Sequence, residues 1–215
     1  MRHPLYVALV WHMHQPDYRD PATGALNLPW VRLHAAKDYL HMAQVLEHHP
    51  SVRVMFNFTP VLLDQLQAYA QGRAEDRIMR LSHRPTWTEE ERAYILNVCF
   101  SAHWDNVIRR YPPYWALLQR RPAALEDLTH FSDQEYRDLL AWFQLVWTDP
   151  NYLEQDPDLS RLVDKGRDFT IEDLELIAAR HRALCAQVIP LYRQLAERGQ
   201  IELLTSPYAH PSCRC

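Results

Sequence analysis

An unbroken apolar run, Leu5-Tyr6-Val7-Ala8-Leu9-Val10-Trp11, gives way directly to His12-Met13-His14-Gln15-Pro16-Asp17-Tyr18. The run lacks the polar alternation of a half-exposed strand, so it predicts a strand covered on both faces, as in a parallel sheet. It is too short to cross a bilayer. Two further short segments read the same way. Residues 52–57 (Val-Arg-Val-Met-Phe-Asn) and residues 201–205 (Ile-Glu-Leu-Leu-Thr) complete three predicted buried strands.

Helical patterns fill most of the remainder. A helix over 34–48 joins the first two strands. Thr59-Pro60 supplies a cap and a first-turn proline for a helix reaching about Gln71. Thr88 with Glu91 and Ser132 with Glu135 are capping boxes opening two more helices. From Thr170 to Arg198 an apolar stripe runs through Ile171, Leu174, Ile177, Ala178, Leu184, Cys185 and Val188. Pro190 should kink or restart that helix, and Gly199 should end it in the left-handed conformation. The order of elements is that of an α/β fold with a parallel sheet. Roughly 140 residues separate the second and third strands, against the dozen or so a simple crossover needs. Residues 82–169 therefore read as a helical insertion over one end of the sheet, either a wall of a ligand cleft or a plain scaffold.

Composition excludes several classes of function. The formal net charge is −4 and the basic residues are scattered, Arg109-Arg110 and Arg120-Arg121 being isolated pairs. No basic stripe suggests nucleic acid as a partner, and no apolar span suggests a membrane. His3-Pro4 before the first strand, with no small-residue cleavage site, argues against a signal peptide. Cys99 and Cys185 sit in apolar helical settings and read as reduced core residues. Cys213 and Cys215 stand at the end of the chain, without a spacing that implies a disulfide or zinc site. The expected compartment is the cytoplasm, and no cofactor is called for.

The chemistry collects where strands end. His12, His14 and Gln15 follow the first, Asn57 closes the second, and Ser206-Pro207-Tyr208-Ala209-His210-Pro211 follow the third. In parallel sheets and barrels this is the edge at which ligands bind. Neutral polar groups there need partners that a dry core lacks. His12 and His14, two apart, would point the same way on extended backbone, suiting either one metal ion or one hydroxylated ligand. Gln15 offers a donor and an acceptor together. Trp30, in the loop after this motif, offers a ring face, although a lone Trp packs more often than it stacks on a ligand. His103 and Trp104 lie in a helical stretch and read as core or surface residues. His181 is one of several histidines with no legible partner. Glu202, inside the third strand, reads as paired with a basic or hydroxyl group.

Taken together, these residues resemble glycoside hydrolase family 57. Trp11-His12-Met13-His14-Gln15-Pro16-Asp17-Tyr18 is similar to its first motif, whose core is His14-Gln15-Pro16. The stretch from Gly199 to Pro211 resembles its second motif. Phe56-Asn57-Phe58-Thr59-Pro60, and the stretch from Ala102-His103-Trp104-Asp105 to Tyr111-Pro112, also look like family members. The resemblance implies the N-terminal portion of an incomplete (β/α)7-type barrel acting on α-glucans, as in amylases, amylopullulanases, glucanotransferases and branching enzymes. It further implies a retaining mechanism with a Glu nucleophile and an Asp acid/base about 5 Å apart. By position, His14 and His210 would line the subsite beside the scissile bond, with His12, Gln15 and Asn57 as neighbours. The Glu and Asp belong to later motifs, so the expectation is an N-terminal fragment, inactive alone, with Ser212-Cys213-Arg214-Cys215 as a truncated or frame-shifted tail.

Rival readings are a metal-dependent barrel hydrolase, with His12, His14 and His210 as zinc ligands activating water, and a non-catalytic carbohydrate-binding fragment. A further possibility is a fragment that does not fold stably alone. The sequence does not distinguish hydrolysis from transfer or branching, and gives no oligomeric state.

Overall fold

A computed structural model of the chain describes residues 5–209, so His210, Pro211, Cys213 and Cys215 lie outside the described residues. The fold is mixed α/β. Three strands, β1 (Val10–Met13), β2 (Val54–Phe58) and β3 (Ile201–Thr205), form one parallel sheet in the order β1-β2-β3. Between β1 and β2 run α1 (Trp30–His34), a π-helical turn (Ala35–Tyr39) and α2 (Leu40–Glu47). After β2 come α3 (Pro60–Ala70), α4 (Arg77–Ser82), α5 (Glu89–Val98), α6 (Pro112–Glu126), α7 (Asp133–Val146), α8 (Pro150–Gln155) and α9 (Pro157–Lys165). The 27-residue α10 (Ile171–Glu197) then leads into β3.

β1 starts later than the apolar run predicts. Its ladder with β2 begins at Val10↔Met55, which brings His12 and Met13 inside the strand. The expectation of burial on both faces fails for the run: Leu5 and Tyr6 are 88% and 87% exposed, and Trp11 is half exposed. Nothing among the described residues covers the second face of β1. The other face alternates into the core, with Met13, Phe56 and Phe58 all buried. Tyr192 of α10 packs edge-on against Phe56 and Phe58 at 4.9 and 4.8 Å. Such pairs add about 0.5–1.5 kcal/mol each beyond burial alone.

Two apolar cores result. The sheet, α2, α3 and the C-terminal half of α10 enclose one, around Phe56, Leu62, Leu66, Val188, Tyr192 and Leu195. The helices between Arg77 and Lys165, with Phe169, Leu174 and Ile177, enclose the other, around Tyr114, Tyr136, Trp142 and Phe143. α10 belongs to both cores and acts as their shared spine. Its N-terminus carries a capping box, Thr170 with Asp173, like those observed at Thr88/Glu91 and Ser132/Glu135. Gly199 ends it at φ +68°. Pro190 does not break it. Pro190 and Ala186, whose carbonyl it deprives of a partner, are both exposed residues, and a solvent-side carbonyl tolerates that loss.

Where the cores meet, a polar network is sealed from solvent. Arg32 of α1 donates from Nε to Asp76 Oδ2 at 2.7 Å and from Nη2 to Oδ1 at 3.2 Å, with both side chains fully buried. Arg32 Nη1 reaches Gln144 Oε1 at 3.1 Å and His181 Nδ1 at 2.7 Å. A guanidinium only donates, so Nδ1 must accept. The His181 proton therefore sits on Nε2, facing the Thr148 hydroxyl at 2.8 Å. Burial, reinforced by the Arg32 charge, holds the His181 pKa well below the usual histidine value, so the ring is neutral. Asp76 also accepts from Tyr69 Oη and caps α4 through the Met79 N–H.

Candidate functional site

The parallel register sets His12, Asn57 and Leu204 abreast on the open face of the sheet, while Met13 and Phe58 turn under it. Asn57 Nδ2 lies 3.3 Å from His12 Nδ1, and Asn57 Oδ1 accepts from Ser206 Oγ at 3.3 Å. With the amide oxygen taken by Ser206, its nitrogen donates to Nδ1. That assigns the proton of a neutral His12 to Nε2, on the side away from Asn57. β1, β2 and the residue that follows β3 thus contribute to one hydrogen-bonded row. Beside it lies a shallow recess of about 330 Å³ lined by His12, His14, Asn57 and Thr59. His12 lies within β1 rather than after it, yet His12 and His14 still reach the same recess.

Gln15 is placed differently. Its amide donates to Tyr39 Oη at 3.1 Å and its carbonyl accepts from Tyr18 Oη at 2.6 Å. Burial pushes the Tyr39 phenol up to about 12 and also raises that of Tyr18, so both stay protonated in the neutral range. Gln65 of α3 accepts from the Tyr18 N–H and donates to the Pro16 carbonyl, clamping the turn from the other side. Gln15 is therefore built into the support of the His-Gln-Pro turn.

Trp30 is the first residue of α1 rather than part of a loop. It is half buried in an aromatic group, 5.5 Å from Trp147, 6.3 Å from Phe143 and 6.4 Å from His34. His34 in turn stacks on Tyr39 at 5.9 Å and bonds Asp38 at 2.6 Å. Trp30 thus joins the rim only through His34 and Tyr39. His103 and Trp104 fall in a turn and not in a helix. There the His103 ring accepts from the Asn106 N–H, and Trp104, half exposed, donates to the Phe100 carbonyl.

Tyr208 stands at the far side of the rim. Its hydroxyl donates to Asp64 Oδ2 at 3.0 Å and accepts from Arg19 Nη2 at 2.9 Å. Arg19 also grips Asp17 with two bonds at 2.8 Å and Asp64 with a third. The Arg19 hydrogen bonds hold both carboxyls below the usual aspartate range, with Tyr208 adding to the effect on Asp64. This cluster ties the first-strand loop to α3 and to the loop after β3. His210 lies outside the described residues.

Sequence reasoning missed Ser206, Thr59, Tyr39 and the Arg19–Asp64 link, because each depends on contacts between distant segments. Only the parity of Ser206 and Thr59, one residue past their strands, hinted at the rim. The expected partner of Glu202 is absent: among the described residues this exposed side chain makes no ion pair, because it lies on the open face at the edge strand. No carboxylate lines the recess. Among the described residues no group of three or more His, Cys, Asp or Glu side chains is placed to hold a metal ion. No helix among them is long and apolar enough to cross a membrane. Chemically, the recess offers hydrogen-bond donors and acceptors and no carboxylate, which suits a polyhydroxylated ligand.

A parallel α/β sheet with a polar row at its carboxyl edge defines the general class. The model of the family described as Glycosyl hydrolase family 57 matches residues 8–213, nearly the whole chain, and the protein belongs to that family. Membership supports glycoside hydrolase or transglycosylase activity on glucans, with carbohydrate as substrate. No curated protein and no solved structure matches the chain.

Proposed function

We propose that this chain forms the glucan-binding rim of a retaining glycoside hydrolase or transglycosylase acting on α-glucans. In this reading residues 1–215 are the N-terminal part of one (β/α)7-type catalytic domain, with β1, β2 and β3 as its first barrel strands and 82–169 as a helical insertion. The single observation that carries it is the row His12–Asn57–Ser206, drawn from β1, β2 and the loop after β3 and bordering one recess with His14. His12 presents its Nε2–H to a sugar hydroxyl, and Asn57 fixes that tautomer from behind. Gln15 holds the loop that carries His14, and Tyr208 is held at the opposite edge by Arg19 and Asp64. Trp30 supports the rim through its aromatic group, by way of His34 and Tyr39. The family resemblance assigns His210 to the same subsite.

A double displacement needs two carboxylates about 5 Å apart. No acidic side chain lines the recess, which supports a reading in which the nucleophile and the acid/base belong to later motifs of the family. The rim alone binds without turnover. Two buried, unpaired thiols, Cys99 and Cys185, support a reducing compartment, and we place the protein in the cytoplasm.

Isothermal titration with maltoheptaose tests the reading. The chain should bind without releasing glucose or shorter maltodextrins, and His12→Ala and Asn57→Ala should each weaken binding by about tenfold, equivalent to about 1.4 kcal/mol. Unchanged affinity in both variants, or turnover by this chain alone, would refute it.

A further inference from the structure

Thr59 stands one residue beyond β2, in the position that caps α3. Its backbone is still extended, at φ −78° and ψ 136°, and its N–H bonds the Met13 carbonyl at 3.2 Å, continuing the ladder past the strand. Alternation therefore sets Thr59 on the same face as Asn57, with Phe58 turned under the sheet between them.

A threonine in this position normally caps the helix with its hydroxyl. Here that work is done elsewhere. Pro60 has no N–H to satisfy. The Val61 N–H goes to the Tyr208 carbonyl at 3.2 Å, and the Leu62 and Leu63 N–H groups go to the Thr59 carbonyl. The side chain makes no capping bond. Thr59 is only 1% exposed, and its hydroxyl has no hydrogen-bond partner among the described residues. A buried hydroxyl left unpaired is costly, and a valine of the same shape would avoid that cost. Two other buried nitrogens share this condition, Arg137 Nε and Arg182 Nε, but each belongs to a guanidinium bonded through other atoms. Among the described residues Thr59 is the case in which the whole polar function of a buried side chain is idle, and it lines the recess with His12, His14 and Asn57.

We propose that the Thr59 hydroxyl is a further substrate-binding group of this site, left without a protein partner so that a sugar hydroxyl can take that place. The inference rests on the glucan reading above and deepens it. A hydroxyl that both donates and accepts matches the secondary hydroxyls of a hexose, which do the same. The oxygen itself is covered, so contact requires a shift among the side chains that line the recess. Thr59 follows Asn57 by two residues on extended backbone, so its side chain stands about 6–7 Å along the same face, within the span of one sugar unit. The idle hydroxyl is thus a stability cost carried by the unliganded fold and relieved on binding.

The test uses Thr59→Val, which keeps the shape and removes the hydroxyl, and Thr59→Ser, which keeps the hydroxyl. Affinity for maltoheptaose and the thermal midpoint of unliganded protein are measured for both and for the parent. The expected result is affinity about three- to tenfold weaker in T59V, near-parental affinity in T59S, and a T59V midpoint equal to or above the parent's. Parental binding retained in T59V overturns the inference and leaves the glucan reading standing. A lowered T59V midpoint also overturns it, because the hydroxyl would then serve the unliganded fold, through a trapped water for example. Absence of binding in the parent chain overturns both.

Discussion

Asp76→Asn tests the polar network between the two cores. The wild-type carboxylate meets Arg32 with two charge-assisted bonds while both side chains are fully buried. The substitution keeps the volume and leaves one oxygen to cap α4. It places an amide N–H₂ against a guanidinium that can only donate, and it strands a positive charge away from water. Removing one partner of such a pair costs about 3–5 kcal/mol, because the remaining charge stays buried. Asp76→Ala also removes the cap on the Met79 N–H, adding about 1 kcal/mol. At a urea m-value of about 2 kcal/mol per molar, the Asn variant should unfold about 1.5–2.5 M earlier, and the Ala variant earlier still. Far-UV circular dichroism through a urea series reads this directly. A combined Arg32→Met, Asp76→Leu variant should recover much of the loss, because an apolar pair strands no charge. Recovery will be partial, since Tyr69, Gln144 and His181 lose their partners. A midpoint shift below about 0.5 M for the Asn variant would refute the reasoning, showing that the pair is reached by water.

Two further outcomes follow from titratable groups. His181 is neutral in the fold with its pKa depressed by burial, so below about pH 6.5 the unfolded chain takes up a proton that the folded chain refuses. Stability from this group is fully present above that pH and should fall by about 1.4 kcal/mol per unit below it. Urea midpoints at pH 7.5, 6.5 and 5.5 check this, and a His181→Gln variant with the same slope would exclude His181 as its source. Burial pushes the Cys185 thiol up to about 12 and that of Cys99 well above its usual value. Both should resist iodoacetamide at pH 8 in native protein and react on unfolding, as mass spectrometry of digested protein would show.

Local signals were legible in the sequence. The Thr88/Glu91 and Ser132/Glu135 boxes and Gly199 lie where their spacing places them, because capping is decided within one turn of helix. β2 and β3 are also close to their expected limits. β1 was misplaced because an apolar run marks burial, whereas strand limits depend on the partner, and pairing with Met55 begins only at Val10. Pro190 does not restart α10, because its effect depends on which side of the helix faces water. Arg32, Asp76 and His181 could not be found at all. Their separations of 44 and 149 residues carry no periodic signal, and charged residues in helices ordinarily face solvent. At the site, His12, His14 and Asn57 were legible through strand parity. The diversion of Gln15 to two tyrosines was not, because Tyr39 reaches it from the π-helical turn 24 residues away.

The rim is held by two kinds of bond, and the difference sets which part of it yields. On the β1 side the support is neutral and partly buried: Tyr18, Gln15 and Tyr39 in sequence, with Gln65 behind them. Such bonds are little affected by salt. On the β3 side Tyr208 is tied through Arg19, Asp17 and Asp64, whose side chains are each about a third or more exposed. Exposed ion pairs contribute at most about 1 kcal/mol and are screened by salt. The Tyr208 carbonyl also caps α3 through Val61, one of the two N–H groups a Thr59 hydroxyl would otherwise cap. Any loosening of the Tyr208 loop frees the Val61 N–H and offers Thr59 its ordinary capping role. The vacancy at Thr59 therefore depends on the weaker of the two supports, and a ligand that engages the Thr59 hydroxyl stabilises the arrangement in which Tyr208 stays docked.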